Sequence, residues 1–234
     1  MTLYTLLISL HILLIATWLG MDIGLFTSSF WVRNPRLSPE TRLAMGRFGS
    51  LMDMGPRTSL VLMLGVGILL SYYGGWALGW LPQPVVWLIV LLLLVWLWAI
   101  WQQFLAVRDA TAGKPLGGRV VFLRQFRTFD LYLRLGLALV MIGLGVASFL
   151  NLLGENYGWL NTKFILFGAI LLNGVAIRLV SDDFPIALGE IVRLGSTPER
   201  EARLNRALTR AYPLVLVLWG LIVVLLVLGV TKPF

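Results

Sequence analysis

Apolar residues fall into six long blocks along this chain, at roughly residues 3–30, 56–78, 84–106, 129–152, 159–181 and 211–231. Each reaches or passes the ~20 residues that a helix needs to cross the hydrocarbon of a bilayer. Strand-period alternation is absent, which argues against a barrel. The pattern predicts an all-α fold: a polytopic membrane helix bundle with six transmembrane helices, forming a single domain over residues 1–234. Two of the polar stretches between blocks open with helix-start signals. Ser38-Pro39-Glu40 and Thr197-Pro198-Glu199 each read as an N-cap followed by proline at the first helical position. Arginine-rich amphipathic stretches follow and end near Pro56 and Pro213, so surface helices are expected there. Two other connections are short, from Gly74-Gly75 to Pro84 and from Asn151 to Asn161, while the long one between residues 106 and 129 is also expected to form a surface helix. Tyr72, Tyr73, Trp76, Trp80, Tyr157 and Trp159 gather near them, as an interfacial aromatic belt should.

Charge adds an orientation. Of the 19 Lys and Arg residues, five lie in 31–57, six in 107–134 and six in 178–210, leaving only Lys163 and Lys232 on the other side. By the positive-inside rule the three basic connections are cytoplasmic and both termini lie on the other side of the membrane. The formal net charge of +8 then follows from topology and from anionic inner-leaflet lipid, with no call for nucleic acid. Apolar residues make up 59% of the chain and charged ones 13%, against about a quarter charged in ordinary globular domains. There is no cysteine, which excludes disulfides, thiolate metal sites and cysteine catalysis. The first basic residue is Arg33, so the positive region of a signal peptide is missing and the first helix is expected to be retained.

A shift of 77 residues superimposes Arg42 on Arg119, Arg47 on Arg124, Asp53 on Asp130 and Arg57 on Arg134. Gly65-x-Gly67 and Gly143-x-Gly145 follow, one residue out of register, and the span from Pro213 is a weaker third copy. The repeated unit is a cytoplasmic surface helix leading into an outward span. The glycine pairs lie inside apolar spans, where small residues allow close helix packing.

Candidate chemistry centres on the first block. At 100° per residue, Tyr4, His11, Trp18, Asp22 and Ser29 fall within about 20° of a common line on the helix. An ionisable side chain in a membrane span faces protein, water or a ligand by default. His11, the only histidine, can ligate haem iron or another metal, relay protons, or simply bond a neighbouring helix. Asp22 lies about 16 Å further along the axis, too far to share a mononuclear site with it. It falls level with three i,i+4 pairs, Asp53/Arg57, Asp130/Arg134 and Arg178/Asp182, which together suggest an ion-pair belt across the helix ends. Alternatively Arg57 and Arg134 hold exogenous carboxylates such as haem propionates, or a phosphate. Met21, Met45, Met52, Met54 and Met63 allow a copper site, since thioethers suit Cu(I), although no M-x-x-M or His-Met cluster appears. Gln102, Gln103 and Asn173 read as interhelical glue.

His11, six residues, Trp18, one residue, Gly20, and an arginine soon after the span resemble the first-helix motif of the CopD/HemJ-like bacterial membrane proteins. The string WLGMDIGLFTSS, followed by RNPRLSPETR and DMGPR, is similar to proteins of this general kind. The likeness covers spans one and two. It implies His11 as the axial ligand of haem b, Trp18 beside the ring and Arg57 as the basic residue opening the second span. HemJ-type members are haem-dependent oxidoreductases, and CopD-type members are linked to copper uptake. The leading expectation is therefore a haem-b-binding, redox-linked membrane protein, its iron five-coordinate or with a weak sixth ligand. The alternatives are a copper-handling or permease-like transport protein that uses the stripe as a path, and a structural or accessory subunit. A homo-oligomer or a larger membrane complex is the corresponding partner class.

Overall fold

The computed structural model describes residues 2–76, 78–111, 119–152 and 157–233. They form eight helices: α1 (Leu3–Val32), α2 (Pro39–Met52), α3 (Met54–Tyr73), α4 (Gln83–Thr111), α5 (Arg119–Phe149), α6 (Gly158–Val180), α7 (Phe184–Leu194) and α8 (Pro198–Thr231). No strand occurs among the described residues. Six helical segments are long and apolar enough to cross a membrane, and the chain is a multi-pass integral membrane protein. Two of these segments include a second helix: Pro39–Tyr73 joins α2 to α3, and Gly158–Leu194 joins α6 to α7.

The boundaries correct the sequence reading at four points. The second span stops at Tyr73, short of residue 78, because Gly74 and Gly75 end the helix and Gly75 takes a left-handed φ of 68°. The stretch after Thr197 is no separate surface helix. It runs through Pro213 into the last span as one 34-residue helix. A proline forfeits one backbone donor, but the apolar surroundings leave the rest of the ladder no better partner than its own carbonyls. A distinct surface helix, α7, lies just before it and was not anticipated. The basic connection around residue 114 forms no separate helix among the described residues, since α4 extends to Thr111 and α5 begins at Arg119. The start signals themselves hold: Ser38 Oγ accepts the Thr41 N–H, and Thr197 Oγ1 accepts that of Arg200.

The spans are arranged as a ring in chain order. α1 packs on α3, α3 on α4, α4 on α5, α5 on α6, α6 on α8, and α8 returns to α1. Glycines set two of these seams. A methyl placed on Gly145 would lie 2.7 Å from the Asn161 carbonyl oxygen, and one on Gly168 would lie 2.8 Å from that of Ala138. Only glycine permits this backbone approach between α5 and α6. Between α1 and α3 the opposed positions are Met21 with Gly55 and His11 with Gly67. The sums of their numbers nearly agree, which fixes an antiparallel register. The main core includes Leu14, Trp18, Val61, Ile100, Ala138, Ile170 and Ile222. A second core, of Val32, Ala187, Leu188, Ile191, Leu204 and Leu208, joins the end of α1 to α7 and α8, with Met45 of α2 packed against it.

Candidate functional site

The α1 stripe turns inward along most of its length. Tyr4 meets Trp76 edge-on, with ring centroids 6.2 Å apart. His11 abuts α3, where a methyl on Gly67 would lie 3.7 Å from Cε1 in ordinary contact. Its Nδ1 is buried and has no hydrogen-bond partner among the described residues. Trp18 is only 3% exposed, and its Nε1 is likewise buried without a partner. The register between α1 and α3 puts Ser59 level with Trp18, and the Ser59 hydroxyl is a third buried group with no partner. The half of this seam nearer Leu3 therefore holds buried polar atoms with no partner among the described residues.

The inner half differs. Asp22 accepts a 2.6 Å hydrogen bond from Trp219 Nε1 of α8. The Ser29 hydroxyl lies 2.9 Å from that of Tyr212, also on α8. Asp22 makes no ion pair among the described residues, so it stands outside the expected belt. Its partner is an indole donor 197 positions away, which no local pattern announces.

The belt itself forms, with one exchange of partners. Asp53 pairs with Arg57 at 2.5 Å, and Asp130 pairs with Arg134 at 3.1 Å, as the repeat suggests. Arg178 does not take Asp182. It reaches across to Asp130 at 2.9 Å and to the Arg127 carbonyl at 2.8 Å, while Arg127 takes Asp182. α6 ends at Val180, so Asp182 lies in the turn beyond it and off the helical i,i+4 spacing, while the packing of α5 on α6 places Asp130 beside Arg178. Asp130 is 4% exposed and also accepts from Trp96 Nε1 at 2.9 Å. The Arg134 guanidinium lies 5.3 Å from the centroid of the Trp96 ring. This is a fully partnered buried carboxylate, whereas the Asp53–Arg57 pair is partly exposed, at 33% and 43%. The side chains of Arg119 and Arg124, the other repeat positions, lie outside the described residues. Beside the belt, Arg127, Thr128, Leu131, Arg178, Leu179 and Asp182 line a cavity of about 130 Å³.

These contacts sort the candidates for a bound group. Arg57 and Arg134 each pair with a carboxylate of this chain, Asp53 and Asp130. No cluster of three or more His, Asp or Glu residues suited to a metal occurs among the described residues. Met21 and Met52 pack against Gly55 and Gly24, where they fill space between helices. His11 offers a buried imidazole nitrogen with no hydrogen-bond partner among the described residues, which fits a single bond to a metal. Sequence reasoning missed the Arg42–Glu201 pair. Arg42, 1% exposed, donates to both Glu201 carboxylate oxygens and, through Nε, to the Val32 carbonyl at 2.6 Å. Its place in the repeat was the only signal. No family model matches the chain, and no curated protein or solved structure does so either.

Proposed function

We propose that this membrane protein binds one haem b through His11 and takes part in redox chemistry. One observation carries the reading: the chain's only histidine sits in a membrane-crossing helix with a buried ring nitrogen that has no hydrogen-bond partner among the described residues. Leaving such a group unpaired costs about 1–3 kcal/mol, and a bond to iron would remove that cost. The resemblance of the His11–Trp18–Gly20 motif to CopD/HemJ-like proteins supports the same assignment. A bound haem would supply one-electron chemistry, with its potential tuned by the axial ligand and by burial. The chain's part is to hold the axial nitrogen through His11 and to exclude water with Leu7, Leu14, Ile15 and Trp18, all buried. The basic connections point to an inner-membrane location with periplasmic termini. The test is an absorption spectrum of the detergent-purified protein, oxidised and then dithionite-reduced, with haem quantified per chain. A Soret band near one haem per chain, lost in His11→Ala, is the expected result. A colourless protein from haem-replete cells overturns it.

A second reading, a structural or accessory subunit, is favoured by the inner half of the stripe. There Asp22 and Ser29 are spent on α8 contacts that fasten helices together. Under that reading the protein co-purifies with a partner chain and tolerates loss of His11. The permease-like reading gains no such support, since Trp18 and Asp22, at 3% and 5% exposure, close the stripe to water.

A further inference from the structure

We propose that Lys163 and Lys232, with the Trp76–Trp159 pair, form a site at the outer end of the bundle for the phosphate of an anionic lipid headgroup. The two indoles meet edge-on with centroids 5.1 Å apart. The Lys232 ammonium lies 4.5 Å from the Trp76 centroid and 5.2 Å from that of Trp159. The Lys163 ammonium lies 5.8 Å from the same Trp159 ring. Two cations thus share one aromatic floor and lie within electrostatic reach of each other. Lys163 also occupies a notch in α8, since a methyl on Gly229 would lie 2.7 Å from its Nζ. Neither lysine makes a hydrogen bond or an ion pair among the described residues.

Cation–π contact offsets part of the cost of holding a half-buried ammonium. It does nothing about the repulsion between two of them. An anion bridging both removes the repulsion and satisfies the ammonium protons, and a phosphate has the oxygens to accept from each. The position selects the source. Trp76, Trp159 and Tyr4 mark the aromatic belt, where headgroup phosphates lie at the membrane–water interface. All other Lys and Arg residues of the chain are at the opposite end, so the site is the only concentration of positive charge on this face in the sequence. The proposal stands apart from the haem reading and uses none of its residues.

The test is native mass spectrometry of the full chain, exposed to phosphatidylglycerol or to phosphatidylcholine, with inorganic phosphate as a competitor. One equivalent of tightly held phosphatidylglycerol is expected, weakened about tenfold or more in K163Q/K232Q and retained in K163R/K232R. Glu155, the only acidic residue in the outer connections, provides the control. E155Q should leave the adduct unchanged or strengthen it. An unchanged adduct in K163Q/K232Q overturns the site. Competition by millimolar phosphate overturns the lipid assignment, as does an adduct seen only when haem is present, which would make the anion a porphyrin carboxylate. Gly229→Ala provides a second variant that keeps both charges. It should displace Lys163 from its notch and weaken the adduct with the fold intact.

Discussion

Arg42 grips both carboxylate oxygens of Glu201, 159 residues later in the chain, at 2.6 and 2.8 Å. The guanidinium is almost wholly buried, and this bidentate pair ties α2 to the start of α8. Removing one member leaves the other charge desolvated. Arg42→Ala should destabilise the detergent-solubilised protein by about 3–5 kcal/mol, and a double exchange to apolar residues by less. A double-mutant cycle on thermal unfolding checks this; equal losses in the single and double variants would contradict it.

The same pair sets a pH dependence. Hydrogen bonds from Arg42, and less so from Ser196, hold the Glu201 carboxyl below the usual glutamate range, against the opposing effect of its partial burial. Glu201 lies in the polar first turns of α8, ahead of the apolar span. A depressed acid contributes stability that is fully present above its unfolded pKa and lost as pH falls through the folded one. The stability gap between wild type and Glu201→Gln should therefore be flat near neutrality and narrow on acidification below the ordinary glutamate range. A gap that widens on acidification would contradict this.

Asp130 and Asp53 occupy equivalent repeat positions and should respond differently. Asp130→Ala strands Arg134, Arg178 and the Trp96 N–H, at a cost of about 3–5 kcal/mol. Asp53→Ala breaks a single, partly exposed pair, at a cost of about 0–1 kcal/mol. Melting temperatures in one detergent decide the comparison, and equal effects would remove the distinction drawn here.

Asp22 accepts from Trp219 and meets no cation among the described residues, so its charge is not required for the contact. Asp22→Asn keeps an acceptor oxygen and should leave stability nearly unchanged. Trp219→Phe removes the donor and should cost about 1–3 kcal/mol. A large loss in Asp22→Asn would indicate an ion pair instead.

Gly145→Ala and Gly168→Ala drive a methyl against a backbone carbonyl and should cost about 1–3 kcal/mol each. Gly67→Ala meets the His11 ring at ordinary contact distance and should be tolerated. Expression and melting temperature of the three variants are the check.

The six spans were legible because each is an unbroken apolar block, and a bilayer requires backbone bonds to close within a segment. The inward direction of the α1 stripe was legible for the same reason, since Trp18 and Asp22 had nowhere else to face. Partners were not. Asp22 finds Trp219 and Arg42 finds Glu201 across most of the chain, and a single sequence carries no record of such pairings. Arg178 shows the limit of local spacing. Its i,i+4 acid, Asp182, falls beyond the end of α6 at Val180, a boundary the spacing does not show, and Arg178 pairs with Asp130 of α5 instead. Pro213 misled in the other direction, since a proline that ends a helix in water can be carried through one in lipid.

Helix α8 spans 34 residues, about 50 Å at 1.5 Å per residue, against a hydrocarbon thickness of about 30 Å. Glu201 sits near one end and Gly229, the notch that receives Lys163, near the other. The helix is therefore a push-rod through the bilayer. With no loop between its ends, a tilt imposed where Arg42 holds it also moves the end that carries the lysine notch, and Pro213, which lacks a backbone donor, is the point at which it can bend.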